Sequence, residues 1–204
     1  MLEIIPASDF TTIPWKNGLG KTVEMAINEG GSVDNFDWRI SQATVANDGE
    51  FSDFSGLERN LVLIKGNGLS LLHTTSDTSA PTPEDESYCQ EDHLTELLDY
   101  ANFDGGFRTL GKLHDGEIID LNIMTAANKF DTQIITAKSA EQLSLPHADL
   151  LFVYSLSGEF VVVDKSAEYT VPNGGLAKIS KETDQNFKVT GEQLIIAAIT
   201  AKQC

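Results

Sequence analysis

The span Pro14-Trp15-Lys16-Asn17-Gly18-Leu19-Gly20-Lys21-Thr22 places an aromatic ring, a cation, an amide and two glycines in one turn-prone stretch. Glycine lets a backbone approach a ligand closely or turn through positive φ, and loops carry binding groups more often than strands do. Gly18 and Gly20 stand too close together for the phosphate-loop pattern GxxxxGK[ST], so nucleotide binding is set aside. A second cluster is Trp38-Arg39-Ile40-Ser41, and a third runs from Asp48 through Phe51 and Phe54 to Arg59. The chain has three arginines: Arg39, Arg59 and Arg108. Arg39 alternates with Trp38 and Ile40, so Arg39 and Ser41 face one side of a strand and their neighbours the other. An inward arginine needs a partner, because an unpaired buried charge is costly. The planar guanidinium matches a carboxylate, either a ligand's or that of an internal Asp or Glu. Arg59 stands between a ligand role and a surface ion pair, and Trp15 and Trp38 between a binding role and core packing.

Asp120 and Asn122 alternate on one face of a further strand, which brings both to the inside of a barrel if that face turns inward. A desolvated Asp120 could act as a general base; paired with Arg39 or Arg59 it would be structural. The four histidines, His73, His93, His114 and His147, are never two residues apart, so no His-x-His metal pair exists and no metal centre is expected. Each reads as an exposed or capping residue. No GxSxG nucleophile signature occurs.

The elements that must position these residues are mostly strands. Trp38–Val45 alternates apolar and polar residues, and Asn60–Lys65 is an apolar run closed by Gly66-Asn67-Gly68. Leu69–Leu72 resumes as a return strand, and Glu117–Met124 and Phe130–Ala137 follow. Leu150–Leu156, the turn Ser157-Gly158-Glu159 and Phe160–Val163 repeat the strand–turn–strand theme, and Leu176–Ile179 and Leu194–Thr200 close the series. Short strands punctuated by turns argue for a barrel or sandwich, and the repeat hints at an internal duplication. Residues 74–87 read as an exposed loop, and Leu94, Leu97 and Leu98 at helical spacing predict a short amphipathic helix over Glu91–Ala101.

Composition narrows the function. The formal net charge is −17, from 14 basic and 31 acidic residues, which disfavours nucleic acid and anionic membrane surfaces as partners. Residues 66–128 hold 12 acids against Arg108 and Lys112, which reads as a solvated face or an acidic protein-binding patch. The two cysteines, Cys89 and Cys204, form no CxxC pattern and fit a reducing compartment. Met1–Pro6 lacks the basic start and apolar run of a signal peptide, so a cytoplasmic location is expected. Self-association, where it occurs, is expected to be a homodimer joined at a sheet edge.

The ordered motifs carry more than any one of them alone. Pro-Trp-Lys-Asn-Gly-x-Gly-x-Thr at 14–22, Trp-Arg-Ile-Ser at 38–41, Asp-Gly-x-Phe-Ser-x-Phe-x-Gly-x-x-Arg at 48–59 and Gly-x-Gly-Leu at 66–69 resemble the HutD/Ves family over roughly the first 125 residues. A fifth element, Gly116, Asp120, Asn122 and Met124, matches as well. The resemblance implies an all-β bicupin, two small cupin-like β-barrels in one chain, divided here as 1–125 and 126–204. It implies a binder of a small acidic metabolite, N-formylglutamate-like, with a regulatory role in histidine utilisation or stress response. No cofactor is expected. Lys16, Arg39 and Arg59 would meet the carboxylates, while Trp15, Asn17, Ser41, Asp120 and Asn122 would complete the site. The alternatives are a metal-independent enzyme on the same metabolite class, with Asp120 or Lys16 moving a proton, and an interaction module using the acidic surface. Two departures from the family pattern, Phe103-Asp104-Gly105-Gly106 and Thr125–Asn128 after Met124, move or remove charge near the expected pocket mouth.

Overall fold

A computed structural model describes residues 1–15, 20–75, 89–165, 167–180 and 186–203. Lys16, Asn17, Gly18, Cys204 and most of the expected loop at 74–87 therefore lie outside the described residues. The described chain is almost entirely β. Its strands are β1 (Leu2–Ile5), β2 (Thr11–Pro14), β3 (Lys21–Ile27), β4 (Trp38–Val45), β5 (Gly49–Glu50), β6 (Leu57–Lys65), β7 (Leu69–Thr74), β8 (Gln90–Leu94), β9 (Tyr100–Asp104), β10 (Arg108–Leu113), β11 (Ile118–Ala126), β12 (Phe130–Ser144), β13 (Leu150–Ser155), β14 (Phe160–Asp164), β15 (Ala167–Val171), β16 (Leu176–Ser180) and β17 (Phe187–Ala201).

The chain divides into two compact units, one of residues 12–128 and one of 1–11 with 129–204. The opening strand joins the second unit because β1 pairs with β16, Leu2 opposite Ile179 and Ile4 opposite Ala177. That unit is a seven-stranded sheet, β1-β16-β13-β17-β14-β15 with β12 on β17. Its core is built of aliphatic and aromatic side chains, with Leu151, Val153, Phe160, Val162, Ile179, Val189 and Ile196 among its buried members, and Ser155 is buried on the same strand face as Leu151 and Val153. In the first unit a six-stranded sheet, β2-β3-β4-β11-β6-β9, faces a four-stranded one, β5-β10-β7-β8. Leu61 and Leu63 from the first sheet share one buried cluster with Leu69, Leu71 and Leu94 from the second.

Three local expectations are corrected. Glu91–Ala101 is not a helix: β8 ends at Leu94, a turn follows, and β9 begins at Tyr100. The Asp99 carboxylate accepts the backbone N–H groups of Thr95 and Glu96 at 2.9 Å each, and Leu98 takes φ of 78° to fold back into the core. The turn thus buries Leu94 and Leu98 without a helix, and the one helical element among the described residues is a 3-10 turn at Ala7–Asp9. Secondly, neither glycine turn closes a hairpin. Gly66–Gly68 carries the chain from β6 in one sheet to β7 in the other. β14 does not pair with β13: both lie end to end along one edge of β17, β14 at Phe187–Thr190 and β13 at Leu194–Ile199, while β12 takes the other edge. Finally, His73 is fully buried rather than exposed or capping.

Candidate functional site

β11 organises the interior of the first unit. It is central in its sheet, with β4 on one side and β6 on the other. Residues directly opposite in an antiparallel pair project to the same face. Asn122 stands opposite Ser41 and Leu61, and Met124 opposite Arg39 and Arg59. Asp120, opposite Ala43 and Leu63, belongs to the same face. The inward alternation expected for Arg39 with Ser41, and for Asp120 with Asn122, is what the register produces. All five polar residues, Arg39, Ser41, Arg59, Asp120 and Asn122, are buried.

Three of them form one network. Arg59 Nη2 donates to Asn122 Oδ1 at 2.8 Å, and Asn122 Nδ2 donates to Asp120 Oδ1 in a very short bond. The Asn122 amide is oriented with its oxygen toward the cation and its nitrogen toward the carboxyl, so its dipole bridges the two opposite charges. Phe51, Phe54 and Phe103 surround the guanidinium, with its carbon 5.3, 5.3 and 5.1 Å from their ring centres. Ring faces attract a cation, most strongly away from water. Arg59 Nε and Asp120 Oδ2 are nevertheless buried with no hydrogen-bond partner among the described residues. Burial pushes Asp120 up to about 7, against the opposing pull of Arg59 and of the Asn122 hydrogen bond. Burial also lowers Arg59 to about 10, opposed by Asp120.

Arg39 takes the internal partner that its strand position left open. Its Nε donates to Glu24 Oε2 on β3 at 2.7 Å, and its guanidinium lies 5.9 Å from the Phe36 ring centre. Trp15 Nε1 donates to Thr22 Oγ1 at 2.8 Å, its backbone N–H donates to the Gly20 carbonyl at 3.0 Å, and its ring packs on the core. The glycine is required there. A Cβ on Gly20 would stand 2.7 Å from the Thr44 carbonyl oxygen and 2.8 Å from the Trp15 ring. Gly20→Ala is expected to cost about 1–3 kcal/mol and to shift tryptophan emission, both read in one urea titration followed by fluorescence.

Residues that the sequence did not single out complete the interior. His73 on β7 makes Nδ1 contact with Thr109 Oγ1 at 2.9 Å and Nε2 contact with Asp92 Oδ2 at 3.1 Å. Its ring centre lies 4.5 Å from that of Phe103, the ring that also covers Arg59. Burial lowers its pKa, Asp92 opposes this and the Arg59 charge adds to it. Glu24 and the phenylalanine cage were likewise missed, although Phe51 and Phe54 lay in a recognised motif. Among the described residues no group of three or more His, Cys, Asp or Glu side chains is placed to hold a metal ion. No helix among them is long and apolar enough to cross a membrane.

The HutD family model matches residues 7–197. The chain belongs to the HutD family. Protein Ves of Escherichia fergusonii is 28% identical over 88% of this chain and 85% of its own length. An uncharacterised protein of the hutC 3' region of Pseudomonas putida is 29% identical, over 65% of this chain but only 63% of that protein. The structure of HutD from Pseudomonas fluorescens SBW25 superposes with a TM-score of 0.80 at 22% identity, covering all of both chains. At that identity the superposition carries the fold, which is the cupin-like β-barrel fold of this HutD-family chain.

Proposed function

We propose that this HutD-family protein binds a small acidic metabolite, N-formylglutamate-like, inside the unit of residues 12–128, as a regulatory binder in histidine utilisation. The observation that carries this reading is the pair of buried atoms without a hydrogen-bond partner among the described residues, Arg59 Nε and Asp120 Oδ2, within one hydrogen-bonded network. Buried polar groups are nearly always satisfied. A donor and an acceptor left over on the same barrel face suit a ligand that presents both. Arg39, whose Nε donates to Glu24, supplies a second guanidinium on that face. The relatives' names add the histidine-utilisation link, since one is a hutC-region protein and another is called HutD. A cytoplasmic setting belongs to the same reading, and the free Cys89 thiol fits it.

Thermal unfolding in N-formylglutamate, glutamate or succinate tests the proposal. A ligand at a hundred times its Kd adds about 2.7 kcal/mol of stability, so an upward shift of several degrees is expected with at least one of them. Arg39→Ala should keep the fold and lose the shift. An equal response in Arg39→Ala removes Arg39 from the site, and no response to any of the three in the wild type overturns the reading. A second reading, a metal-independent enzyme on the same compounds, rests on Asp120, whose raised pKa suits proton transfer near neutrality. Turnover that survives a chelator and disappears in Asp120→Asn would select it.

A further inference from the structure

Two imidazoles converge on Ser70. Its Oγ lies 2.9 Å from His93 Nδ1 and 2.7 Å from His114 Nε2. The three residues come from separate parts of the chain. Ser70 is on β7, His93 stands directly opposite it on β8, and His114 follows β10, its backbone N–H donating to the Gly68 carbonyl at 3.1 Å. Ser70 points away from its neighbours Leu69 and Leu71, which lie in the core. The cluster is therefore on the outer face of the four-stranded sheet, apart from the Arg59–Asn122–Asp120 network. Ser70 itself is buried, while the His93 side chain is 58% exposed.

Two details distinguish this arrangement from a chance surface contact. Gly68 has φ of 125°, and a Cβ there would collide with His114 Nδ1, so the glycine leaves the ring its place. The other ring nitrogen of His93, Nε2, lies 3.8 Å from Glu91 Oε2, within ion-pair range but longer than a hydrogen bond. A carboxylate that closes onto that nitrogen is how metal-binding histidines are commonly oriented and made more basic.

We propose that His93 and His114 form a two-imidazole site for a divalent transition ion of the Cu(II), Ni(II) or Zn(II) type, with Glu91 orienting His93 and water completing the coordination. Imidazole nitrogen suits these ions. The ion takes the position between the two nitrogens that the Ser70 hydroxyl now bridges, and the exposed His93 ring closes onto it. Lys112, opposite Ser70 on β10, is exposed, and its flexible stem lets the ammonium turn to water. The net charge of −17 favours cations near the surface. The site does not rest on the metabolite reading, and either can fail alone.

Copper(II) titration of the full chain, followed by calorimetry and electron paramagnetic resonance, decides it. The wild-type spectrum should show nitrogen coupling from two imidazole donors. His93→Gln and His114→Gln should each weaken binding about tenfold or more, and Glu91→Gln by up to about tenfold. Ser70→Ala, which removes the hydrogen bonds but neither imidazole, should stay within about threefold of wild type. A wild-type spectrum without two imidazole nitrogens overturns the proposal even if a variant fails to fold. So does a His93→Gln/His114→Gln protein that binds copper(II) as the wild type does.

Discussion

Arg59→Met should lower the unfolding free energy by about 3–5 kcal/mol, the range for leaving a buried charge without the opposite charge that offsets it, here across the Asn122 amide. The residue is buried, donates to Asn122, and lies against three phenylalanine rings. Methionine keeps much of the contact with those rings but takes away the positive charge that offsets the fully buried Asp120 carboxyl. Arg59→Met/Asp120→Asn should recover most of the loss, since it removes both charges and leaves two neutral amides at 120 and 122. Urea denaturation of the two single variants and the double variant measures the coupling. Independent sites would give additive losses. Additivity here, or a cost below about 1 kcal/mol for Arg59→Met, would mean that the two charges do not support each other.

The pH dependence of stability should carry a component from Asp120 that Asp120→Asn erases. In the unfolded chain this carboxyl titrates near 3.8, and in the fold near about 7. A raised folded pKa means that the native state holds the extra proton between those values. The stabilisation is therefore complete below about pH 4, fades as the pH rises through 7, and is gone above it. Each pKa unit corresponds to about 1.4 kcal/mol, so the wild-type curve should fall by a few kcal/mol relative to Asp120→Asn between pH 4 and pH 8. Ligand binding should follow the same proton. With Asp120 neutral the network is cationic and receives an anion; once Asp120 ionises, affinity for a carboxylate should fall toward tenfold per pH unit above about 7. A carboxylate affinity that is flat from pH 6 to pH 9 in the wild type, or equally steep in Asp120→Asn, would place the anion away from Asp120.

The amino-acid sequence by itself determined which residues share a face. Side chains alternate along any strand, so Arg39 with Ser41 and Asp120 with Asn122 could be paired on one side before any partner strand was known. The ordered glycine, tryptophan and arginine motifs likewise sufficed for the family. Alternation does not say which strand lies beside which, and that was decided by the tertiary structure alone. Arg59 meets Asn122 across 63 residues because β6 and β11 are neighbours, and β1 joins the far end of the chain because β16 offers it an edge. A glycine turn reads the same whether the chain doubles back, passes to another sheet as at Gly66–Gly68, or runs on along the same neighbour as from β13 to β14, which is why neither expected return strand pairs with the strand before it. Leu94, Leu97 and Leu98 show helical spacing, but burial can be met by a turn, and the Asp99 cap chose the turn. His73 gave no signal because a histidine's burial depends on what faces it, here Thr109, Asp92 and Phe103 on three other strands. The charges of the interior follow the same logic: the sequence supplied the titratable groups, and only folding supplied the desolvation that moves Asp120 toward neutrality.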